Sequence, residues 1–562
     1  MAEQRAELDK FGVAAALQEI ARLMELKGGQ NRFKAKAYNA GARSIQAVGD
    51  LDRLVKHNLL TTLPRIGGAL ASQIAQLYLT GESSVLNELR KEFPSGLVAL
   101  TAVPGLSLSK AQQLHAELGI SSVEELKAAA EAGQIRELKG FGKKTEESLL
   151  EALAAKKERP SQRLHLHHAL NTAEQIVEFM QTSSGLVDIS FAGSLRRWKE
   201  TVGTIEFVAS GKKPEALIEH FLRYPHIVSS ERPEPNNCVA QFVDGARVSF
   251  TAVAPAEFAV TLFLKTGSDK HLAKLPHVKF AKTPKSEEEI YKRLRMQYIP
   301  PELREDEGEI EAALARTLPE DLVTLADVKG MAHCHTTYSD GKHSLESMVR
   351  GAEAMGMKYI TITDHSPTAF YAGGVKIDDL RRQWDEIDEL QDQVKIKILR
   401  GTESDILADG RLDYPDDILE KFDVIVASIH SRYKMNGEKM TERIVNAMKQ
   451  PVFKIWGHAL GRLIERRPPF DCDVERILDV IAESEAAVEI NGDPYRLDME
   501  PRWVREARKR KIKFLISVDA HSVGAMNNLK FGVAMARRGW VRRSEVLNTL
   551  APGAFQKAVR PV

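Results

Sequence analysis

Tyr359-Ile360-Thr361-Ile362-Thr363-Asp364-His365 is a short β-branched and aromatic run that stops on a carboxylate and an imidazole. Its composition favours a strand, and its lack of polar alternation favours one buried on both faces. Six further apolar runs flank it: one ending at His333, then Ile396 to Leu399, Val424 to Ala427, Phe453 to Trp456, Ala487 to Ile490, and Phe514 to Val518. Helical stretches separate them, which is the pattern of successive βαβ units. From about Asp327 onward the chain therefore reads as α/β, a closed (β/α)7 barrel.

Six of those seven runs end in groups that can ligate a metal. They are His333 and His335 with Asp340 just beyond, then His365, Glu403, His430, His458, and the pair Asp519 and His521. Residues at the C-terminal ends of parallel barrel strands converge on one mouth. In His333-Cys334-His335, side chains two apart share a face, so both imidazoles reach one centre and Cys334 turns away. Taken singly, each histidine reads more readily as a hydrogen-bonded structural group than as a ligand, and Asp364 as a helix N-cap. The set does not: six imidazoles and three carboxylates at one rim repel and desolvate one another unless cations hold them. Nitrogen and oxygen donors without thiolate suit Mn²⁺ or Zn²⁺, with Fe²⁺ also admitted. Nine ligands exceed the needs of two four-coordinate ions and point to three. Such a cluster activates water and holds the phosphate that the water attacks. Arg462 and Arg432, just after His458 and His430, are candidates to grip that phosphate, the alternative being that both are surface residues.

The bulk numbers agree with a multidomain globular protein. The chain has 562 residues, 43% apolar and 28% charged, too many for one core. No apolar run approaches the roughly 20 residues that span a bilayer, and Met1 to Lys10 lacks the apolar segment of a secretion signal. Three distant cysteines make no disulfide framework and suit a reducing cytoplasm. The net charge of +1 excludes a polybasic protein but not a local basic face.

The N-terminal part, to about residue 158, reads as amphipathic helices joined by glycine-bearing turns, and Lys156-Lys157-Glu158-Arg159-Pro160-Ser161 as a boundary. A helix (His168 to Thr182), strands at Val187 to Phe191 and Cys238 to Val243, and a hairpin turn at Asp244-Gly245 follow. Tyr298 to Glu302 reads as a proline-marked helix start. Three turns share one rhythm: Leu63-Pro64-Arg65-Ile66-Gly67, Val103-Pro104-Gly105-Leu106 and Leu138-Lys139-Gly140-Phe141-Gly142-Lys143-Lys144. A glycine turn opening a helix offers N–H groups to phosphate. These segments resemble helix-hairpin-helix motifs, which hold DNA backbones without reading sequence; Arg65 stands where the motif usually has glycine.

Residues 328–562 resemble a PHP (polymerase and histidinol phosphatase) domain through His333-Cys334-His335, Ser339-Asp340-Gly341-Lys342, Thr363-Asp364-His365-Ser366, Ser428-Ile429-His430-Ser431, Gly457-His458-Ala459-Leu460-Gly461-Arg462 and Val518-Asp519-Ala520-His521-Ser522. The resemblance implies that the nine residues bind three metals. Asn31-Arg32-Phe33-Lys34-Ala35-Lys36-Ala37-Tyr38 is similar to the lyase-like domain of bacterial family X DNA polymerases. Ala192 to Gly203 is similar to their nucleotidyltransferase palm, and Thr266-Gly267-Ser268 and Tyr298 to Glu311 to their sugar-selecting loop and thumb. The implied domains are 1–85 lyase-like with the first hairpin motif, 86–158 helix-hairpin-helix, 162–255 palm, 256–318 thumb and 328–562 PHP. The implied DNA contacts are Arg32, Lys34, Lys36, Gly67, Gly105, Gly140, Gly142, Lys143 and Lys144.

Two family features are missing. The palm's three aspartates correspond here to Thr204, Glu206 and Ser249, and one carboxylate cannot hold two Mg²⁺ ions. Asp244 lies five residues before Ser249, about 17 Å along an extended strand, so it cannot substitute. The lyase lysine is absent from Gly68 to Ile74, where Ala69 and Gln73 stand on the expected turns. Ser194 and Arg197 match contacts to the incoming triphosphate and read equally as fold residues. The expectation is a metal-dependent phosphodiesterase of DNA repair, a 3′–5′ exonuclease or 3′-end processor. It would be cytoplasmic, nucleoid-associated and monomeric, binding gapped or 3′-ended DNA, no membrane, and lacking polymerase activity. Its rivals are a gap-filling polymerase with an associated nuclease, a small-molecule phosphatase, and a non-catalytic DNA-binding protein.

Overall fold

The computed structural model describes residues 10–46, 51–56, 58–93, 100, 103, 106–120, 122–155, 163–242, 245–276 and 283–560. The boundary stretch Lys156 to Ser161, Pro104, Gly105 and Asp244 lie outside them. The chain forms two compact units, one of Met1–Arg163, Glu174–Leu186 and Lys213–Ala252, the other of Leu164–Ala173, Val187–Lys212 and Val253–Val562. Among the described residues no helix is long and apolar enough to cross a membrane.

In the second unit seven parallel strands follow one another in chain order: β1 (Gly330–Cys334), β2 (Tyr359–Ile362), β3 (Lys397–Asp405), β4 (Val424–Ser428), β5 (Lys454–Trp456), β6 (Ala486–Asn491) and β7 (Phe514–Ser517). β7 returns to β1 through a parallel bridge between Cys334 and Ala520, which nearly closes the barrel. Every residue of β1, β2, β4, β5 and β7 is buried, as expected for strands covered on both faces. β3 runs six residues past the apolar stretch Ile396 to Leu399 that announced it. It does so across Gly401, where a Cβ would stand 2.7 Å from Thr363 Cγ2 and 2.9 Å from the Ile362 carbonyl oxygen. Glycine there lets three strands approach and carries β3 up to Glu403 and Asp405. The C-terminal helix Pro552–Val559 plugs the opposite end, with Phe555 and Val559 fully buried and the Phe555 ring 4.6 Å from that of Tyr359.

Lys454, the first residue of β5, is fully buried and donates to the carbonyl oxygens of Val452 and Gln450. Burial pushes its ammonium down to about 8. The folded chain therefore releases this proton before the unfolded chain does, and stability rises with pH between about 8 and the ordinary lysine value near 10.4. Replacing Lys454 by methionine is expected to remove about 2–3 kcal/mol of that rise. Urea unfolding of both proteins across this window measures it; parallel curves would contradict the burial argument.

The same unit contains the strands Leu186–Ala192 (entering it at Val187) and Ile205–Gly211, covered by the helix Phe258–Thr266 through Ala192, Val208, Val253 and Leu262. Tyr298 to Glu302 opens only a 3-10 turn, Pro301–Leu303, rather than a longer helix.

The first unit is helical up to Ala155, around a core that includes Leu17, Ile20, Ile74, Leu114 and Leu149. It also holds antiparallel strands Ile227–Glu234, Asn237–Phe242 and Arg247–Val253 (leaving it after Ala252), with Val239 opposite Ser249. Two of the three glycine-type turns are built alike. Leu63 and Leu138 each close a 3-10 turn, Ile66 and Phe141 are buried, and Gly67 and Gly142 precede the helices Gly68–Thr80 and Lys143–Ala155. Gly140 has φ +90°, and Arg65, at the equivalent place, has φ +67°. Arg65 thus holds, without a glycine, a left-handed conformation that costs an L-residue about 1–2 kcal/mol. Arg65→Gly is expected to stabilise this turn by about 0.5–1 kcal/mol after the added unfolded-state entropy. Exchange of the Ala71 amide, bonded to the Gly67 carbonyl, should slow about 2–5-fold; unchanged or faster exchange refutes it.

Candidate metal centre

The C-terminal ends of the barrel strands gather the nine sequence-predicted residues in one cluster. Ligand-capable atoms of His335, Asp340, His365 and His521 lie within 4.8 Å of one another, as do those of His333, His335, Glu403 and Asp519, and those of His365, Glu403 and His430. His458 joins through Nε2, 2.9 Å from Glu403 Oε1 and 3.2 Å from His430 Nε2. Glu403 is the hub, with His365 Nδ1 at 3.0 Å and His333 and His430 Nε2 each at 3.3 Å. At the rim, His521 Nε2 stands 3.2 Å from Asp340.

Simple strand alternation does not deliver the first pair. The β1–β2 register shifts between Met331 and Cys334, and His333 has φ +60°, so a bulge turns its ring toward that of His335, 5.2 Å away. Asp519 (φ +51°) and His458 (φ +24°) are also left-handed. Such conformations persist only where the surroundings fix them, and they concentrate at working sites.

The donor set fits cations. His333 Nε2, both nitrogens of His335, His365 Nδ1, both oxygens of Glu403 and Asp519 Oδ1 are buried with no hydrogen-bond partner. Leaving such groups unpaired costs about 1–3 kcal/mol each, more when charged. No thiolate takes part: Cys334 is fully buried and burial raises its thiol far above the ordinary range. The electrostatics tell the same story. Burial opposes charge on His333, but Glu489, Glu403 and Asp519 overcome it and hold the imidazole well above its usual value. Burial likewise opposes the charge on Glu403, yet His430, His365 and His333 keep it well below the carboxylate range. His335 is pushed down to about 4 by burial and by His365. Histidines and carboxylates thus share out protons where divalent ions would satisfy all of them.

A second ring of residues orients this set. Glu489, fully buried, accepts from His333 Nδ1–H, the His458 backbone N–H, Ser517 Oγ and Asn491 Nδ2. Asp405 does the same for His430 Nδ1, so both rings present Nε2 to Glu403. β6, the one strand with no ligand at its end, thus supplies the support for two others. Its sequence signal was a lone carboxylate within the apolar run Ala487-Val488-Glu489-Ile490. Asp364 is not a helix N-cap; it accepts from Thr336 N–H and Oγ1, Ser339 Oγ and Gln383 Nε2, bracing the loop after β1.

The phosphate-gripping expectation for Arg462 is corrected. Its five N–H groups go to Glu200, Glu500 and the carbonyls of Arg496 and Leu497, which leaves none for a substrate. Arg432 is exposed, with φ +58°. Arg496, which no spacing rule singled out, lies 3.5 Å from Asp519 Oδ2 with a buried Nη1 that has no hydrogen-bond partner.

The other predicted residues lie elsewhere. Arg32, Lys34 and Lys36 are exposed on the helix Asn31–Gln46, Arg32 and Lys36 one turn apart on a shared face. Gly67, Gly140, Gly142, Lys143 and Lys144 are exposed at their turns. In the palm-like segments, Thr204 is half-buried before the strand Ile205–Gly211. Glu206 packs so closely on Gly193 that a Cβ there would meet its carboxylate at 2.3 Å, and burial raises its pKa. Ser249 accepts from Asn237 Nδ2 at 3.3 Å. Arg197 is tied to Glu305 and to the Thr266 carbonyl; Ser194 is half-buried beside it.

Residues 332–493 match the PHP domain family, 97–155 the SAM-like helix-hairpin-helix tandem and 10–83 the helix-hairpin-helix domain. The chain is 33% identical to DNA polymerase/3′-5′ exonuclease PolX of Bacillus subtilis (strain 168), over 96% of this chain and 97% of that protein. It is 27% identical to a probable phosphatase of Thermoanaerobacter sp. (strain X514), over 39% of this chain and 89% of that protein. It is 28% identical to a probable phosphatase of Caldanaerobacter subterraneus subsp. tengcongensis, over 34% of this chain and 74% of that one.

Proposed function

The chain belongs to the bacterial family X DNA polymerases that carry a C-terminal PHP domain, and within that family we propose that it is a metal-dependent 3′-end phosphodiesterase of DNA whose polymerase module does not polymerise. The observation that carries this reading is the ring of buried, partnerless nitrogen and oxygen atoms at the barrel mouth. His333, His335, Asp340, His365, Glu403, His430, His458, Asp519 and His521 would hold up to three divalent ions there, Mn²⁺ or Zn²⁺. Ions so held supply Lewis acidity and lower the pKa of water.

The protein's own part is to aim and to exclude. Glu489 and Asp405 hold the His333 and His430 rings with Nε2 inward, both toward Glu403 Oε1, while Oε2 faces His335 and His365. Arg496, whose Nη1 has no hydrogen-bond partner, is placed to meet a phosphate oxygen beside Asp519. The helix-hairpin-helix turns, with exposed glycines and Lys143 and Lys144, suit backbone contacts to DNA.

In the palm, Thr204 and Ser249 offer hydroxyls where Mg²⁺ needs carboxylates, and Glu206 is occupied against Gly193. No nucleotide incorporation is therefore expected in primer extension with Mg²⁺ or Mn²⁺. The resemblance of the barrel to probable phosphatases favours a second reading, hydrolysis of small phosphomonoesters. One experiment addresses the first two, and p-nitrophenyl phosphate offered in place of the DNA addresses the third. Purified protein is incubated with 5′-labelled single-stranded and gapped DNA, with Mn²⁺ or a chelator, with and without deoxynucleotides. Shortening from the 3′ end with Mn²⁺ alone is expected. Shortening that persists in chelator, or extension of the primer, would overturn the assignment.

A further inference from the structure

The loop after β2 leaves two aromatic rings in solvent at the edge of the metal cluster. Phe370 is 87% exposed and Tyr371 66%. The Tyr371 ring centroid is 5.9 Å from that of His365 and 6.0 Å from that of His430, two of the nine cluster residues. The loop itself is tied down. Val375 N–H donates to the His365 carbonyl at 2.8 Å, and Thr368 donates to Asp413 through its N–H at 2.7 Å and its hydroxyl at 3.0 Å. Gly374 sits so close to the Ser366 carbonyl that a Cβ would stand 2.0 Å from the oxygen, so the loop closes tightly only with glycine there. The exposure of the two rings is therefore a property of a fixed loop, not of a loose one.

Apolar rings held in water at the brim of a polar cluster carry a hydration cost that polar residues would avoid. Aromatic rings with free faces are what unpaired bases stack on, with little regard to sequence. A strand whose phosphodiester rests on the cluster brings its neighbouring bases within a nucleotide's reach of Tyr371. A protein partner on the same rings would instead cover the mouth and block the site.

We propose that Phe370 and Tyr371 form a base-stacking platform for the unpaired nucleotides at the 3′ end of a DNA strand. The proposal rests on the nuclease reading of the same site and adds the side chains that receive the bases of the bound end, without sequence preference.

The test compares wild type with Phe370→Ala, Tyr371→Ala and Tyr371→Phe. The substrates are a single-stranded oligonucleotide and the same strand with its last three nucleotides replaced by abasic tetrahydrofuran residues, both with Mn²⁺. On the normal strand each alanine variant should raise KM about tenfold and leave kcat within about twofold. Tyr371→Phe should match wild type. On the abasic strand wild type and variants should coincide, because no base remains to stack. A readout that needs no cleavage uses 2-aminopurine at the 3′ terminus in chelator: wild type should change its fluorescence on binding and the alanine variants should not. Equal losses on both strands, or unchanged KM in the variants, would refute the platform while leaving the nuclease intact. If wild type shortens neither strand but hydrolyses p-nitrophenyl phosphate, the nuclease reading itself fails, and the platform with it.

Discussion

Replacing His335 by alanine is expected to cut Mn²⁺-dependent shortening of DNA by about a thousandfold and to lower the bound metal measured by elemental analysis. His335 belongs to two of the three ligand groups, so its loss opens two positions at once. Both its ring nitrogens are buried without a hydrogen-bond partner, so it has no structural duty in the described residues that a ligand role leaves unexplained. Its neighbours Asp519, at 3.1 Å, and Glu403, at 3.5 Å, would be left as buried carboxylates with one cation-bearing partner fewer. A catalytic ion supplies several kcal/mol of charge stabilisation in the transition state. Losing about 4 kcal/mol of it corresponds to the thousandfold stated. Because the ring is fully buried, circular dichroism and thermal unfolding must accompany the assay. His335→Asn, which keeps a polar group in the cavity, guards against collapse of the site. A folded variant that retains both its metal and its cleavage would remove the barrel mouth as the site of chemistry.

The cluster was legible because its members stand where apolar runs stop. A parallel strand buried on both faces has no other place for a histidine, so each polar ending is conspicuous. The strand count was legible for the same reason. What lay inside a run was not: Glu489 is flanked by Val488 and Ile490, and only the fold brings His333, Ser517 and the His458 amide to it. Asp405 was hidden because β3 continues past its apolar stretch across Gly401. Arg462 was misread because its partner Glu200 belongs to a segment far away in sequence, and nearness to His458 along the chain said nothing about where a long side chain ends. Arg65 is the reverse case. The sequence marked it as a departure from the motif, and the backbone keeps the glycine-like conformation regardless.

Glu489 is the second position where a large effect is expected, and its test separates aiming a ligand from being one. It lies behind the cluster, contributes no atom to any of the three ligand groups, and touches two of the nine residues, His333 through Nδ1 and His458 through its amide. Glu489→Gln keeps the shape but removes the charge. It also turns one of two acceptor oxygens into a donor, which cannot face the Ser517 and Asn491 groups or the two histidine N–H groups without losing a bond. The His333 ring then loses the anion that fixes its tautomer, and His458, at φ +24°, loses the bond to its backbone amide. Supporting carboxylates of this kind change metal affinity by about 10–100-fold when removed. The expected result is a Mn²⁺ titration shifted by that factor, with cleavage recovering at high Mn²⁺. His335→Ala should not recover, since the ligand itself is gone. Glu489→Leu should go further, leaving several buried donors unpaired at about 1–3 kcal/mol each and lowering the unfolding midpoint of the barrel. A Glu489→Gln variant that binds Mn²⁺ as wild type does would mean that the bulge at His333 and the turn at His458 hold those rings unaided.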